Sequence, residues 1–126
     1  MTVSVAELSE RLAAAEALPF GRGRTLEVEE VAREADGSVG PGAHRLWILS
    51  RTALMSAYNF GGEHSKVFTP FAAALARLDA HPAEVDDDLM YRVLWQYKWA
   101  VQKMIEYPQV STERIAAALD DMEQRY

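Results

Sequence analysis

The sequence predicts an all-α protein of about six antiparallel helices. Apolar residues recur at three- and four-residue spacing through most of the chain, and no stretch reads as a convincing strand. Gly- and Pro-containing stops separate the periodic segments by only a few residues. Connections that short make successive helices antiparallel neighbours, so six helices give three stacked hairpins. The expected organisation is one domain, residues 1–126, with hairpins at 1–41, 42–82 and 83–126.

The first helix is expected from Ser4 to Leu18, with Val5, Leu8, Leu12 and Ala15 on one face and Pro19 and Gly21 after it. The second is expected from about Thr25, read as an N-cap, with Glu27, Glu29 and Glu30 near the positive end of the helix dipole. Val28, Val31, Ala32 and Ala35 form its stripe, Asp36-Gly37 ends it, and residues 37–42 make a loop.

The third segment, Ala43 to Phe60, has a broad apolar arc: Leu46, Leu49, Ala53, Ala57 and Phe60, widened by Trp47, Leu54 and Tyr58. Such an arc suits a helix with neighbours on two sides. The fourth is expected from Glu63 to Ala80, kinked or loosened at Pro70, with a late start capped by Thr69 as the alternative. The fifth runs from about Asp86 to Glu106 behind three aspartates. The sixth runs from Ser111 to about Arg125 and is expected to bury Ile115, Ala118, Leu119 and Met122.

Composition narrows the functional classes. The 126 residues are 49% hydrophobic and 25% charged, enough apolar material for a packed core. There is no cysteine, so disulfides and thiolate metal sites are excluded. The net charge of −6 opposes binding to a phosphate backbone. Glu7, Glu10 and Arg11 stand where a signal peptide would be apolar, and no run reaches the ~18 apolar residues of a membrane span. The expected setting is the cytoplasm, with neither membrane nor nucleic acid as partner.

The middle hairpin carries a recognisable pattern. Ala57-Tyr58 and Gly61 are followed by Val67, Phe71, Ala74 and Leu75. This resembles the tetratricopeptide-repeat consensus, A-Y-x-x-G followed by A-x-x-x-F-x-x-A-L, over residues 51–82. Val67 replaces the usual alanine, Arg51 and Met55 occupy the places of the earlier Trp and Gly, and Pro82 falls three residues after the usual closing proline. The segments FGGEHSKVFTPFA and LWQYKWAV also look like the N-terminal part of larger actinobacterial tetratricopeptide-repeat proteins of unassigned function. The resemblance implies a stack of helical hairpins that binds a protein or peptide. A capping segment of a longer repeat array is the alternative, and a small enzyme comes third. An array end lacking a polar cap would expose apolar surface on the last helix and favour self-association.

The fifth helix holds the candidate site. At about 100° per residue, Met90, Val93, Leu94, Tyr97, Ala100, Val101, Met104 and Ile105 share one face. Arg92, Gln96, Gln102, Lys103 and Glu106 fall opposite, and Trp95 and Trp99 lie one turn apart within that polar face. Two readings stand. The tryptophans pack against a neighbouring helix, or Arg92, Trp95, Gln96, Trp99 and Lys103 line a partner-binding groove of the composition found at interface hot spots.

The remaining motifs support no chemistry. His44, His64 and His81 flank helix ends and lack zinc-ligand spacing, so surface or capping roles are expected. Asp86–Asp88 fit a helix N-terminus better than a calcium loop. Asp120, Asp121 and Glu123 read as a solvated face, and they give VSTERIAAAL the wrong charge for a helix-turn-helix. No nucleophile elbow, phosphate loop or paired acid is present, and no cofactor or metal is expected.

Overall fold

The computed structural model describes residues 3–125. They form six α-helices and two single 3₁₀ turns, with no strand among the described residues. The helices are α1 (Val5–Glu16), α2 (Arg22–Ala35), α3 (Ala43–Phe60), α4 (Phe68–Ala80), α5 (Asp87–Glu106) and α6 (Thr112–Arg125). No helix is long and apolar enough to cross a membrane.

Local chemistry sets most of the ends. Ser4 Oγ caps α1 by accepting the Glu7 N–H at 3.1 Å, and Asp86 Oδ1 caps α5 by accepting that of Leu89 at 2.8 Å. Ser111 Oγ does the same for α6 through Arg114 N–H at 3.2 Å. At the C-terminal end of α1, the buried Arg24 guanidinium donates to the carbonyls of Glu16 and Leu18 at 2.7 and 3.1 Å. It satisfies acceptors that the helix cannot, where the dipole also favours a cation.

Two boundaries differ from expectation. Helix α2 begins at Arg22, three residues before Thr25. Thr25 is buried, and its hydroxyl donates to the Gly21 carbonyl at 3.0 Å instead of capping from outside. The expected fourth helix divides into a 3₁₀ turn at His64–Lys66 and then α4 from Phe68. Pro70 therefore lies in the first turn of α4, where its missing N–H breaks no intrahelical bond and no kink is required.

Helix α3 is the hub. It packs against α1, α2, α4 and α5, while α6 makes its helix contacts chiefly with α5. The main core joins Leu8 and Leu12 of α1, Val28 and Val31 of α2, Met55 of α3, Phe71 of α4, and Leu94 and Tyr97 of α5. A smaller cluster joins Ile48 of α3, Leu78 of α4, and Leu89 and Val93 of α5. Each fully buried side chain of this size contributes roughly 1.5–3 kcal/mol from burial.

The α3–α4 corner depends on two adjacent glycines for different reasons. A β-carbon at Gly61 would collide with the Ala57 carbonyl oxygen and press on Thr25 Oγ1 at 3.2 Å. Gly62 has φ +86°, the left-handed region that L side chains avoid.

Helix α6 departs from its expected burial. None of its residues is buried, Ile115, Ala118 and Met122 are half-buried, and Leu119 is 43% exposed. The physical reason is geometric: a helix at the end of the packing, with one main neighbour, has only one side of its stripe covered. Polar contacts hold it instead. Arg125 forks onto Asp79 of α4 with two bonds of 2.8 Å and reaches Asp121 through Nε at 2.8 Å. The Tyr97 hydroxyl donates to the same Asp121 carboxylate at 2.7 Å. Asp121 thus belongs to a network linking three helices, not to a solvated face.

Candidate functional site

Three helices enclose an open groove of about 280 Å³. Glu16 comes from α1, Thr52, Ala53 and Ser56 from α3, and Asp88, Tyr91, Arg92, Trp95 and Gln96 from α5. The face of α5 opposite its core stripe supplies most of this wall, as its amphipathic pattern requires.

Of the five residues the sequence singled out, Arg92, Trp95 and Gln96 line the groove. Trp95 is 46% exposed. Its ring stacks with the exposed Tyr91 one turn earlier, at a centroid distance of 6.2 Å, and the Lys98 ammonium lies 3.6 Å from its centroid. Gln96 is buried in the floor, where its amide donates to Ser56 Oγ at 2.8 Å and ties α5 to α3. Its Oε1 has no partner. Placing residues at uniform angles put Gln96 outward; α3 passes close enough to cover it.

Trp99 and Lys103 lie further along α5, outside the groove lining. Trp99 is half-buried and meets Phe60 edge-on at 5.4 Å, with its indole N–H buried and unpartnered. The Lys103 ammonium pairs with Glu106 at 3.2 Å, and most of its side chain is covered.

Beyond the groove, aromatic rings continue as a strip. The Lys98 ammonium bridges Trp95 and Trp99, Trp99 meets Phe60, Phe60 meets Phe20 at 5.1 Å, and Arg24 covers Phe20 at 4.0 Å. Phe20 and Phe60 are each 48% exposed. Periodicity could not bring them together with α5, because Phe20 lies in a loop and Phe60 is the last residue of α3. Half-exposed aromatics touching in series are the surface signal that marks them.

The groove lining carries two carboxylates, Glu16 and Asp88, against one guanidinium, Arg92. Arg92 Nε contacts Asp88 at 3.3 Å, and Arg45 of α3 forks onto Asp86 and Asp88 at 2.6 and 2.7 Å. The fork holds the Asp86 carboxyl below its ordinary range, helped by the Leu89 N–H. Glu16 keeps access to solvent, yet crowding by the groove walls raises its carboxyl above the usual value, against the pull of Arg24 and Arg92. The groove offers exposed π-faces, one guanidinium, two carboxylates and small hydroxyls. It brings no nucleophile beside a base.

The chain matches no protein-family model, no curated protein and no solved structure.

Proposed function

We propose that the protein is a peptide-binding helical-repeat module whose groove between α1, α3 and α5 receives an extended or helical segment of a partner protein. The observation that carries this reading is the exposed Tyr91–Trp95 stack on the groove wall beside Arg92. Exposed tryptophan, tyrosine and arginine lining a concavity have the composition of binding hot spots. The occupant that fits is a peptide with an apolar or aromatic anchor that stacks on Trp95.

The helix arrangement supports the repeat reading. Besides each helix packing on its chain neighbour, α1 touches α3 and α3 touches α5. A stack of three antiparallel hairpins in the tetratricopeptide manner makes this set of contacts, and its first helices line one concave face. In the resembling hairpin, Ala57, Val67, Phe71 and Ala74 are buried.

Selection of peptides from a random library, followed by calorimetry with the best binder, tests the proposal. Trp95→Ala should weaken binding by about tenfold or more, since a hot-spot residue contributes ~2 kcal/mol. Peptides that bind equally well to wild type and Trp95→Ala would refute it.

A second reading, a capping segment within a longer repeat array, is favoured by α6. Its apolar side chains are partly bare, and an apolar hollow of about 390 Å³ beside it is lined by Phe68, Leu75, Met104 and Val110. Unmatched apolar surface at the end of a solenoid favours association. Light scattering separates the readings: association at high concentration that Leu119→Lys abolishes supports this one, and a strict monomer counts against it.

A further inference from the structure

The turn between α4 and α5 brings His81 and Glu84, three residues apart, together with the distant His44. His44 is in the first turn of α3, His81 caps the end of α4, and Glu84 closes the 3₁₀ turn Pro82–Glu84. The two imidazoles lie with centroids 3.8 Å apart, tilted by 31°. His44 Nε2 is 3.4 Å from Glu84 Oε2, and His81 Nδ1 is 3.5 Å from the same oxygen. One ligand atom from each residue lies within 4.8 Å of the other two.

We propose that His44, His81 and Glu84 form a binding site for a divalent transition-metal ion, of which Zn²⁺ is the best fit. Zinc takes imidazole nitrogen and carboxylate oxygen at about 2.0–2.2 Å, so adjacent donors in a tetrahedral shell stand about 3.3–3.6 Å apart. Two of the three donor separations already have that value. Capture of the ion requires the tilted rings to swing until both lone pairs converge. All three side chains are partly or fully exposed, so the motion disturbs no core.

The surroundings favour a cation. Asp86, Asp87 and Asp88 follow Glu84 after a single residue, Val85, and Arg45 is engaged by Asp86 and Asp88. Three protein ligands leave a fourth position for water or for a donor from a partner. Affinity should be micromolar, not nanomolar: His44 Nδ1 is buried without a hydrogen-bond partner, so the ring lacks the outer contact that normally orients a zinc ligand. A bound ion would staple the start of α3 to the α4–α5 turn, next to the Arg45 fork that ends at the groove residue Asp88.

Calorimetric titration of the tag-free chain with Zn²⁺ tests the site, with tetrahedral Co²⁺ absorption as a second readout. The expected result is one ion per chain and a rise in Tm. Affinity should fall at least tenfold in His44→Ala and His81→Ala, fall measurably in Glu84→Gln, and stay unchanged in His64→Ala. Circular dichroism of each apo variant confirms folding independently of metal. Absence of binding at submillimolar Zn²⁺, binding that survives both histidine variants, or equal loss in His64→Ala would overturn the proposal.

Discussion

Individual glycines in this chain have opposite energetic signs, and their surroundings decide which. Gly61 has an ordinary φ of −100°, so its requirement is steric: the Ala57 carbonyl oxygen is backbone and cannot yield. Gly61→Ala should cost about 1–3 kcal/mol, as overpacking does. Gly23 lies inside α2 with nothing within 4 Å of its β-position. There alanine removes unfolded-state freedom and adds helix propensity, so Gly23→Ala should stabilise by about 0.4–1 kcal/mol. Urea midpoints of the two variants, moving in opposite directions, check both expectations. The sequence marked Gly61 as a turn residue through the A-Y-x-x-G pattern. It could not separate a collision from a left-handed φ, because that distinction belongs to the path of the preceding helical turn.

At the scale of elements, sequence legibility follows the range of the deciding interaction. The bounds of α3 were readable because a continuous apolar arc ends at Gly61-Gly62. The start of α2 was misread because Thr25 has the chemistry of a cap, while its position is set by the backbone fold at Gly21. Helix α6 had a sound amphipathic stripe, yet a stripe says which side is apolar and not whether a neighbour covers it. The network that holds α6 joins residues distant in sequence and was invisible to periodicity. It carries a pH signature. Arg125 lowers the carboxyl of Asp79, and Arg125 with Tyr97 lowers that of Asp121. Groups depressed in the folded state contribute stability above their unfolded pKa of about 4, and lose it as pH falls through the folded values. Helix α6 should therefore loosen below about pH 4 while the core of α1–α3 holds. Hydrogen exchange at pH 3 and pH 6, corrected for intrinsic rates, should show protection lost first in residues 112–125. Equal loss throughout the chain would contradict the network's role.

For the molecule as a whole, α5 buries one face in the core and turns another to the groove, and this separates stability from the proposed recognition. Val93, Leu94, Tyr97, Ala100 and Val101 are buried in the core. Tyr91, Arg92 and Trp95 line the groove, while Gln96, through Ser56, and Asp88, through Arg45, also tie α5 to α3. The candidate site was legible to that extent: the polar face of one helix could be read, but the helices opposite it could not. Thr52, Ser56 and Glu16 join the groove through the packing of α3 on α1 and α5, which no local pattern encodes. Leu94→Ala removes a core side chain and should cost about 2–5 kcal/mol, while leaving the peptide affinity of the folded fraction nearly unchanged. Trp95→Ala should do the reverse. It removes a half-exposed ring and alters stability by about 0.5 kcal/mol or less, yet costs about tenfold or more in affinity. Urea unfolding and peptide calorimetry on the same two variants read both quantities. A Trp95→Ala protein that unfolds as easily as Leu94→Ala would identify the indole as packing, and the proposed recognition surface would lose its centre.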